Sequence, residues 1–367
     1  MRGTSFRSVK FVLFNAVIVA ITCALLSSAA LAQTNKKIKI GVIAPLTGEY
    51  ASLGASLVNC AKMAQLDWNK ANPNLQAELI IEDDGFSAPK GVAAAKKLID
   101  IDRVDALLNS STPTINAIYP TVKASGLPTM QLGIMEEEVA DNVFMLQPDP
   151  EKFAFDFGVD YSTKGYQNSI VFYFEDPSVV TLVDAFRKGL KSKLTEMPIG
   201  QGDVSSIKSL VTKALATKPD NLVFALSIAQ NGLILKELIA QSGEAPLPNM
   251  FFLFDLEIGL EQVYEMLGDL TPILDAQTAT NRKPVDRSFL TRYEELYQAP
   301  MQPWSEYGYD SIKILMESFH KDARLWVENI AGYNNNGVTG PIKFDRRDIR
   351  EPTYRRITTI REIVERE

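Results

Sequence analysis

In the first part of the chain, hydrophobic residues recur at every second position in some segments and at the 3.6-residue spacing of a helix in others. Ile38, Ile40 and Val42 alternate with polar or small residues, which predicts a strand, and residues 54–69 carry an apolar stripe at helical spacing. The same reading predicts strands at 77–82, 106–109, 129–132 and 143–146, and helices at 89–100 and 112–125. Strands that alternate with helices at this spacing indicate an α/β fold with a mostly parallel sheet and helices on both faces.

A turn-rich break, Gln-Pro-Asp-Pro at residues 147–150, is followed by a second series of alternating elements. This series predicts strands at 169–174, 221–227 and 250–254, and helices at 178–193, 204–217, 230–241 and 257–267. Helices are then predicted at 286–296 and 305–319 with no strand of their own, so we expect them to pack on a sheet already built. A last strand pattern at 354–360 can pair with either sheet. The chain therefore predicts two α/β lobes.

The strand at residues 106–109 runs into a short elbow that is rich in hydroxyl groups. Thr112 is a good helix N-cap, and Pro113 suits the first helical position. With Ser110 and Ser111, the elbow gathers hydroxyls and unpaired amides at the positive end of a helix dipole, which suits a carboxylate or another anion. The alternative is that the three hydroxyls only cap the helix. In parallel sheets, ligands bind beyond the carboxyl ends of the strands, where this elbow and the turn at residues 47–48 both lie.

The first 32 residues have the pattern of a cleaved secretory signal. Basic residues are followed by an apolar run from 11 to 26 and by small residues that end at Ala32, near which we expect cleavage. A membrane anchor is the alternative, but Asn15 and Thr22 interrupt the apolar run, which is short for a spanning helix. The remaining chain is long enough for two domains. Because 46% of the 367 residues are hydrophobic, it can bury a large core.

Charge and composition exclude several kinds of partner and chemistry. Loss of the signal removes three positive charges and takes the formal net charge from −7 to −10, which argues against nucleic acid and anionic membrane surfaces. Cys60 becomes the lone cysteine and is expected to be a buried packing residue. His320 is the only histidine, so a Ser-His-acid triad has little support. The adjacent acids Asp83 and Asp84 are expected to form local hydrogen bonds and not to bind a metal, and no cofactor motif is present.

Several short segments are each weak evidence for a protein family, but their order and spacing along the chain are together more specific. They are residues 40–48 with Tyr50, Ala51 and Gly54 after them, Glu82-Asp83-Asp84 before a helix starting at Pro89, the serine elbow, Tyr309-Asp310 opening a helix, and Thr339-Gly340-Pro341 with Phe344-Asp345. With these segments in this order, the chain resembles the periplasmic type I binding proteins of the branched-chain amino acid class. These proteins are the soluble receptors of ABC importers. The resemblance spans nearly the whole chain after the signal.

The resemblance implies two lobes joined by three crossovers, with ligand held between them and closure by hinge bending. It assigns residues 36–147 and 276–345 to the first lobe and 148–275 and 346–367 to the second. The crossovers are expected near Gln147, Asp275 and Asp345.

The resemblance also implies a ligand site. It places a ligand carboxylate on the elbow residues, an ammonium group on the loop from Gly133 to Met135, and a second-lobe acid at Asp255 or Glu257. The alternative for these two acids is a helix cap and a first-turn acid. The full set of ligand-binding residues expected from the resemblance is Tyr50, Leu53, Ser110, Ser111, Thr112, Gly133, Met135, Asp176, Asp255 and Glu257.

Three positions depart from the family pattern. Met135 stands where a hydroxyl residue is expected and offers none to an ammonium group, Leu53 stands where an aromatic residue often lines the cleft, and Asp176 begins the segment that replaces a tyrosine-glycine pair. The anion half of the site is therefore retained, whereas the ammonium half is altered.

The sequence therefore predicts a monomeric periplasmic receptor, without metal or cofactor, that delivers a small carboxylate-bearing solute to a membrane permease of an ABC transporter. The solute is an amino acid or a related organic acid or amide. One alternative is a sensor that reports its ligand to a membrane kinase or chemoreceptor. The other is an enzyme on the same scaffold.

Overall fold

The computed structural model describes residues 36–133, 140–147, 149–200, 202–254, 256–280, 283–344, 350 and 356–365. The strands are β1 (Lys36–Ala44), β2 (Leu75–Asp83), β3 (Ala106–Asn109), β4 (Thr129–Gln131), β5 (Val143–Met145), β6 (Asn168–Phe174), β7 (Lys193–Ile199), β8 (Asn221–Ala225), β9 (Asn249–Phe252), β10 (Gln277–Thr280), β11 (Asn334–Gly337), β12 (Gly340–Lys343) and β13 (Arg356–Thr359). The predicted signal segment lies outside the described residues.

The α-helices of the described ranges follow or connect these strands. They are α1 (Ala51–Ala71), α2 (Ala88–Lys96), α3 (Thr112–Ser125), α4 (Pro150–Ser162), α5 (Pro177–Gly189), α6 (Ile207–Ala216), α7 (Ile228–Ser242), α8 (Leu260–Leu267), α9 (Arg287–Tyr297), α10 (Glu306–Glu317), α11 (Ala323–Ala331) and α12 (Ile360–Val364). A π-helical turn, Lys97–Ile101, extends α2. Across these ranges, no helix combines the length and the apolar character that a bilayer crossing requires.

The first sheet has the strand order β2-β1-β3-β4-β5, with every pair parallel. Its two faces bury different helices because alternate residues of a strand point to opposite sides. Ile38, Ile40 and Val42 pack in one cluster with α1 and α10, whereas Ile43 and Leu107 pack on the other side with α2 and α3. The helix after β1 therefore lies on one face, and the helices after β2 and β3 lie on the other.

The second sheet has the order β13-β10-β9-β8-β6-β7 and is parallel except for its antiparallel edge strand β13. Its central strands β6, β8 and β9 are mostly apolar and buried, as expected for strands covered on both faces. The sequence-based prediction of an α/β fold with mostly parallel sheets and helices on both faces is confirmed.

The structure corrects the predicted lobe boundary. Strand β10 pairs with β9 and β13 in the second sheet, so the assignment of residues 276–280 to the first lobe, with a crossover near Asp275, is wrong. The prediction missed this strand because Gln-Thr-Ala-Thr has no apolar run. Strand β7 and helix α4 were also not predicted, and the strand pattern at 354–360 pairs with the second sheet.

A buried arginine, Arg350, connects residues 339–341 to the end of β5. Arg350 donates from its guanidinium to the Thr339 hydroxyl at 2.7 Å and to the Pro341 carbonyl at 2.8 Å, and its amide donates to the carbonyl of Met145 at the end of β5. The Thr339 hydroxyl donates in turn to the buried carboxylate of Asp310 at 2.6 Å. Two segments of the family pattern, at residues 309–310 and 339–341, thus meet in one hydrogen-bonded network.

Helices α4 and α5 cross at two glycines. A Cβ added to Gly158 would lie 2.2 Å from the carbonyl oxygen of Phe186, and one added to Gly189 would lie 2.2 Å from that of Phe155. Both contacts involve backbone atoms, which cannot move aside as a flexible side chain does. The two helices therefore approach more closely than any side chain at these positions would allow.

We expect the Gly158→Ala variant to be less stable than the wild type by about 1–3 kcal/mol, because the added methyl group overpacks this crossing. Thermal and denaturant unfolding measure the change. Gly332→Ala is the matched control, since the nearest atom to its added Cβ lies 3.6 Å away. Equal stability of the Gly158→Ala and Gly332→Ala variants would contradict the close crossing.

Candidate functional site

The elbow after β3 is the centre of the candidate site. Strand β3 ends at Asn109, and Ser111, in an extended conformation, is the N-cap of α3. The prediction of Thr112 as the cap is wrong by one residue: the carbonyl of Ser111 accepts the amides of Thr114 and Ile115, so Thr112 is already helical. Pro113 occupies the second helical position, where its missing N–H also costs no hydrogen bond.

The elbow presents donors that the fold leaves unused. The hydroxyl and amide of Ser110 both donate to the carbonyl of Ile43, at 3.2 and 3.1 Å. Ser111 is fully buried, and its hydroxyl has no hydrogen-bond partner among the described residues. Within the same ranges, the amides of Ser111 and Thr112 have no acceptor, as geometry dictates at a helix start. The Ser111 hydroxyl and the amides of Ser111 and Thr112 form a compact set of unused donors at the positive end of a 14-residue helix.

A buried polar cluster supports the elbow from below. The side-chain amide of Asn109 donates to Gln131 at 2.9 Å, and its oxygen accepts from the hydroxyl of Thr114 at 2.9 Å. All three residues are fully buried. Because Asn109 and Gln131 end neighbouring strands and Thr114 lies in the first turn of α3, these bonds fix the helix start against the sheet.

The loop after β4 lies directly against the elbow. Gly133 has a φ of +136°, and a Cβ at this position would lie 2.7 Å from the hydroxyl oxygen of Thr112 and 2.7 Å from the side chain of Ile115. Glycine is therefore required both by the backbone conformation and by the close approach. The structure thus brings together Gly133 and the predicted elbow residues. Met135 lies outside the described residues.

The loops after β1 and β2 are joined by the carboxylate of Asp83. It accepts the amides of Leu46 and Gly85 at 2.8 Å each and the hydroxyl of Thr47 at 2.7 Å. Burial acts to raise the pKa of Asp83, but these hydrogen bonds outweigh it and the pKa is lowered. The expectation that this acid forms local hydrogen bonds agrees with this geometry.

Two predicted ligand-binding residues lie at the start of α1, on this same edge. The ring of Tyr50 packs on that of Phe86 with centroids 4.2 Å apart, and burial, with the nearby Glu49, raises the pKa of Tyr50 to about 12. Leu53 is half-buried in the first turn of the helix. Phe86 was not singled out by the sequence, where only its position next to Gly85 marks it.

The predicted second-lobe residues follow strands of the other sheet. Asp176 comes directly before α5, beyond the end of β6, and its carbonyl accepts the amide of Val180. Glu257 lies in a 3₁₀ turn, Leu256–Gly259, before α8. Asp255 lies outside the described residues.

Other chemistry finds no support in the described ranges. They contain no group of three or more His, Cys, Asp or Glu side chains placed to hold a metal ion. The Nδ1 atom of His320 accepts the amide of Asp322 at 3.0 Å, which is a helix-start contact. A cavity of about 430 Å³ lies beside the second sheet, between residues 239–250 and 272–276. The elbow, by contrast, follows β3 of the first sheet. The residues that line the cavity lie at the amino ends of β9 and β10, whereas ligands of parallel sheets bind beyond the carboxyl ends, so we do not assign the site to it.

Comparisons of the sequence and of the structure with known proteins point to the same family. The family model described as periplasmic binding protein matches residues 37–360. A Leu/Ile/Val-binding protein, BraC3, from Rhizobium johnstonii is 26% identical over 232 residues, which are 59% of this chain and 62% of that protein. The match therefore spans less than two thirds of the relative's length.

Two solved structures share the fold. The branched-chain amino acid transporter substrate-binding protein LivJ from Streptococcus pneumoniae, in complex with isoleucine, aligns with a TM-score of 0.77 and 17% identity over 88% of this chain and 96% of its own. A solute-binding protein of an ABC transporter from R. palustris, in complex with benzoate, aligns with a TM-score of 0.74 and 18% identity over 88% and 93%.

We expect Asp83→Asn to lower stability at pH 7 by about 1 kcal/mol, because the amide accepts these hydrogen bonds less strongly than the carboxylate. A lowered folded-state pKa contributes stability above the unfolded value of about 3.9, and this contribution is lost as the pH falls through the folded value. The difference between variant and wild type should therefore shrink from pH 5 to pH 3 in thermal unfolding. Glu78→Gln, in an exposed ion pair with Lys37, is the control. A difference independent of pH would contradict the role of the Asp83 charge.

Proposed function

Because the chain belongs to the periplasmic binding protein family, we propose that it binds a small carboxylate-bearing solute and delivers it to the membrane permease of an ABC transporter. The observation that carries the proposal is the elbow, where the buried hydroxyl of Ser111 and the amides of Ser111 and Thr112 lack partners among the described residues. A buried polar group without a partner is costly, and an anionic ligand at a helix start supplies the missing acceptor.

A carboxylate fits this donor set better than a neutral group. Its two oxygens accept up to four hydrogen bonds, and its charge is stabilised by the helix dipole. The two similar structures contain isoleucine and benzoate, whose shared polar group is a carboxylate. The proposal therefore assigns the carboxylate to the elbow and leaves the rest of the ligand to other residues.

The site opposite the carboxylate differs from that of an amino acid receptor. Met135 offers no hydroxyl to an ammonium group, and Leu53 presents an aliphatic side chain. We therefore propose an organic acid without a standard α-amino group as the ligand. The second lobe, through the segments that contain Asp176, Asp255 and Glu257, closes over it by hinge bending. The same proposal includes export by the predicted signal with cleavage near Ala32, and a monomeric receptor.

We expect Ser111→Ala to weaken ligand binding by about 1–3 kcal/mol, because it removes a hydrogen bond to a charged group. Ser110→Ala should weaken binding less, because the Ser110 hydroxyl donates to the carbonyl of Ile43. The ligand is first identified by mass spectrometry of the purified protein, and its affinity is then measured by calorimetry. The melting temperature of ligand-free Ser111→Ala should equal or exceed that of the wild type, since the substitution removes an unpartnered hydroxyl. Ser125→Ala, at the other end of α3, is the control. Unchanged affinity in both elbow variants would refute the carboxylate assignment.

We also expect free leucine, isoleucine and valine to raise the melting temperature little, because an ammonium group would lose hydrogen bonds on entering an apolar site. A screen of these amino acids beside organic acids of similar size tests this expectation. The binding of a deaminated analogue, such as 4-methylpentanoate, is the matched comparison for leucine. Tight binding of any of the three amino acids would show that the ammonium half is intact.

A further inference from the structure

We propose that Tyr50 and Phe86 form an aromatic wall of the ligand site and that this wall selects a planar ring, so that the ligand is an aromatic carboxylic acid. The inference rests on the proposed function, from which it takes the position of the carboxylate at the elbow. It adds a residue, Phe86, and a substrate class.

The strand order places the aromatic wall across from the elbow. Tyr50 follows β1, Phe86 follows β2 and the elbow follows β3, and β1 lies between the other two strands. Neighbouring strands are about 4.8 Å apart, so the loops after β2 and β3 leave the sheet roughly 10 Å from each other. A ligand with one ring and a carboxylate can therefore contact both the elbow and the aromatic wall.

The backbone of Phe86 is held in a conformation that a bulky residue rarely adopts. Its φ is +57°, directly after Gly85 at +52°. Two neighbouring acids fix this turn, since the Asp83 carboxylate accepts the amide of Gly85 and the Asp84 carboxylate accepts that of Phe86 at 3.0 Å. Such strain persists where the surroundings determine it, and it is concentrated at functional sites.

Core packing does not account for the position of the Phe86 ring. Neither Tyr50 nor Phe86 belongs to a hydrophobic cluster of the described residues, and both remain partly exposed. The contact between the two rings offsets the backbone strain at best, because both effects are of similar small size. The phenol hydroxyl of Tyr50 has no hydrogen-bond partner among the described residues. A ring pair that remains partly exposed beside a carboxylate site is therefore available to a ligand.

The test compares benzoate with cyclohexanecarboxylate, which has the same charge and a ring of similar size that is not planar. The full mature protein is freed of bound ligand by unfolding and refolding, and the dissociation constants are measured by calorimetry. We expect benzoate to bind at least tenfold more tightly. In Phe86→Leu this preference should fall at least fivefold while cyclohexanecarboxylate affinity changes less than twofold, and Tyr50→Phe should keep the preference.

Tyr264→Leu is the matched control, since Tyr264 is an exposed aromatic residue of α8, and it should leave both affinities unchanged. Equal binding of the two acids, or an equal loss of both in Phe86→Leu, would overturn the aromatic wall. If neither acid binds but a non-aromatic carboxylate does in the melting-temperature screen, the aromatic wall is refuted and the proposed function stands. If no carboxylate binds, the proposed function itself fails. Phe86→Tyr, which keeps a ring, should retain the preference for benzoate. Retained cyclohexanecarboxylate binding by Phe86→Leu shows that its loss of preference does not come from misfolding.

Discussion

The position of β1 between β2 and β3 is the constraint on which the site depends. Right-handed crossovers in a parallel sheet send the helix after β1 to one face and the helices after β2 and β3 to the other. Two chain segments that leave neighbouring strands in opposite directions open a crevice at the carboxyl edge. The elbow forms one side of this crevice, and the loop that carries Tyr50 forms the other.

The two sides differ in how their polar groups are satisfied. On one side, the Asp83 carboxylate accepts hydrogen bonds from both the loop after β1 and the loop after β2 and so joins them. On the other side, Asn109 and Gln131 hold the start of α3 in place, while the hydroxyl of Ser111 above them is left without a partner in the described part of the chain. Rigid support beneath unpaired donors is the arrangement that lets a site bind an anion without first reorganising.

Much of the fold could be read from the sequence because long buried strands and amphipathic helices leave clear periods. Strand β10 could not, since its polar residues are held by pairing with β9 and β13, which are distant in sequence. At the elbow, the strand, turn and helix were predicted, but Ser111 and Thr112 are both preferred N-cap residues, and the hydrogen bonds identify Ser111 as the cap. The contact of Phe86 with Tyr50 was not predictable, because it depends on a left-handed backbone and on two separate loops that meet.

The chain builds the first sheet, continues through the second, and then returns to cover the first with α10. This path affects the order of folding. Strands β6 to β10 are contiguous in sequence, whereas α1 buries its apolar face against α10, which follows some 240 residues later. Contacts of such long separation form slowly because a large loop must close first. The first sheet therefore keeps part of one face uncovered until strands β6 to β10 of the second sheet have been made, and an apolar surface of this kind has to be shielded from aggregation while the chain is incomplete.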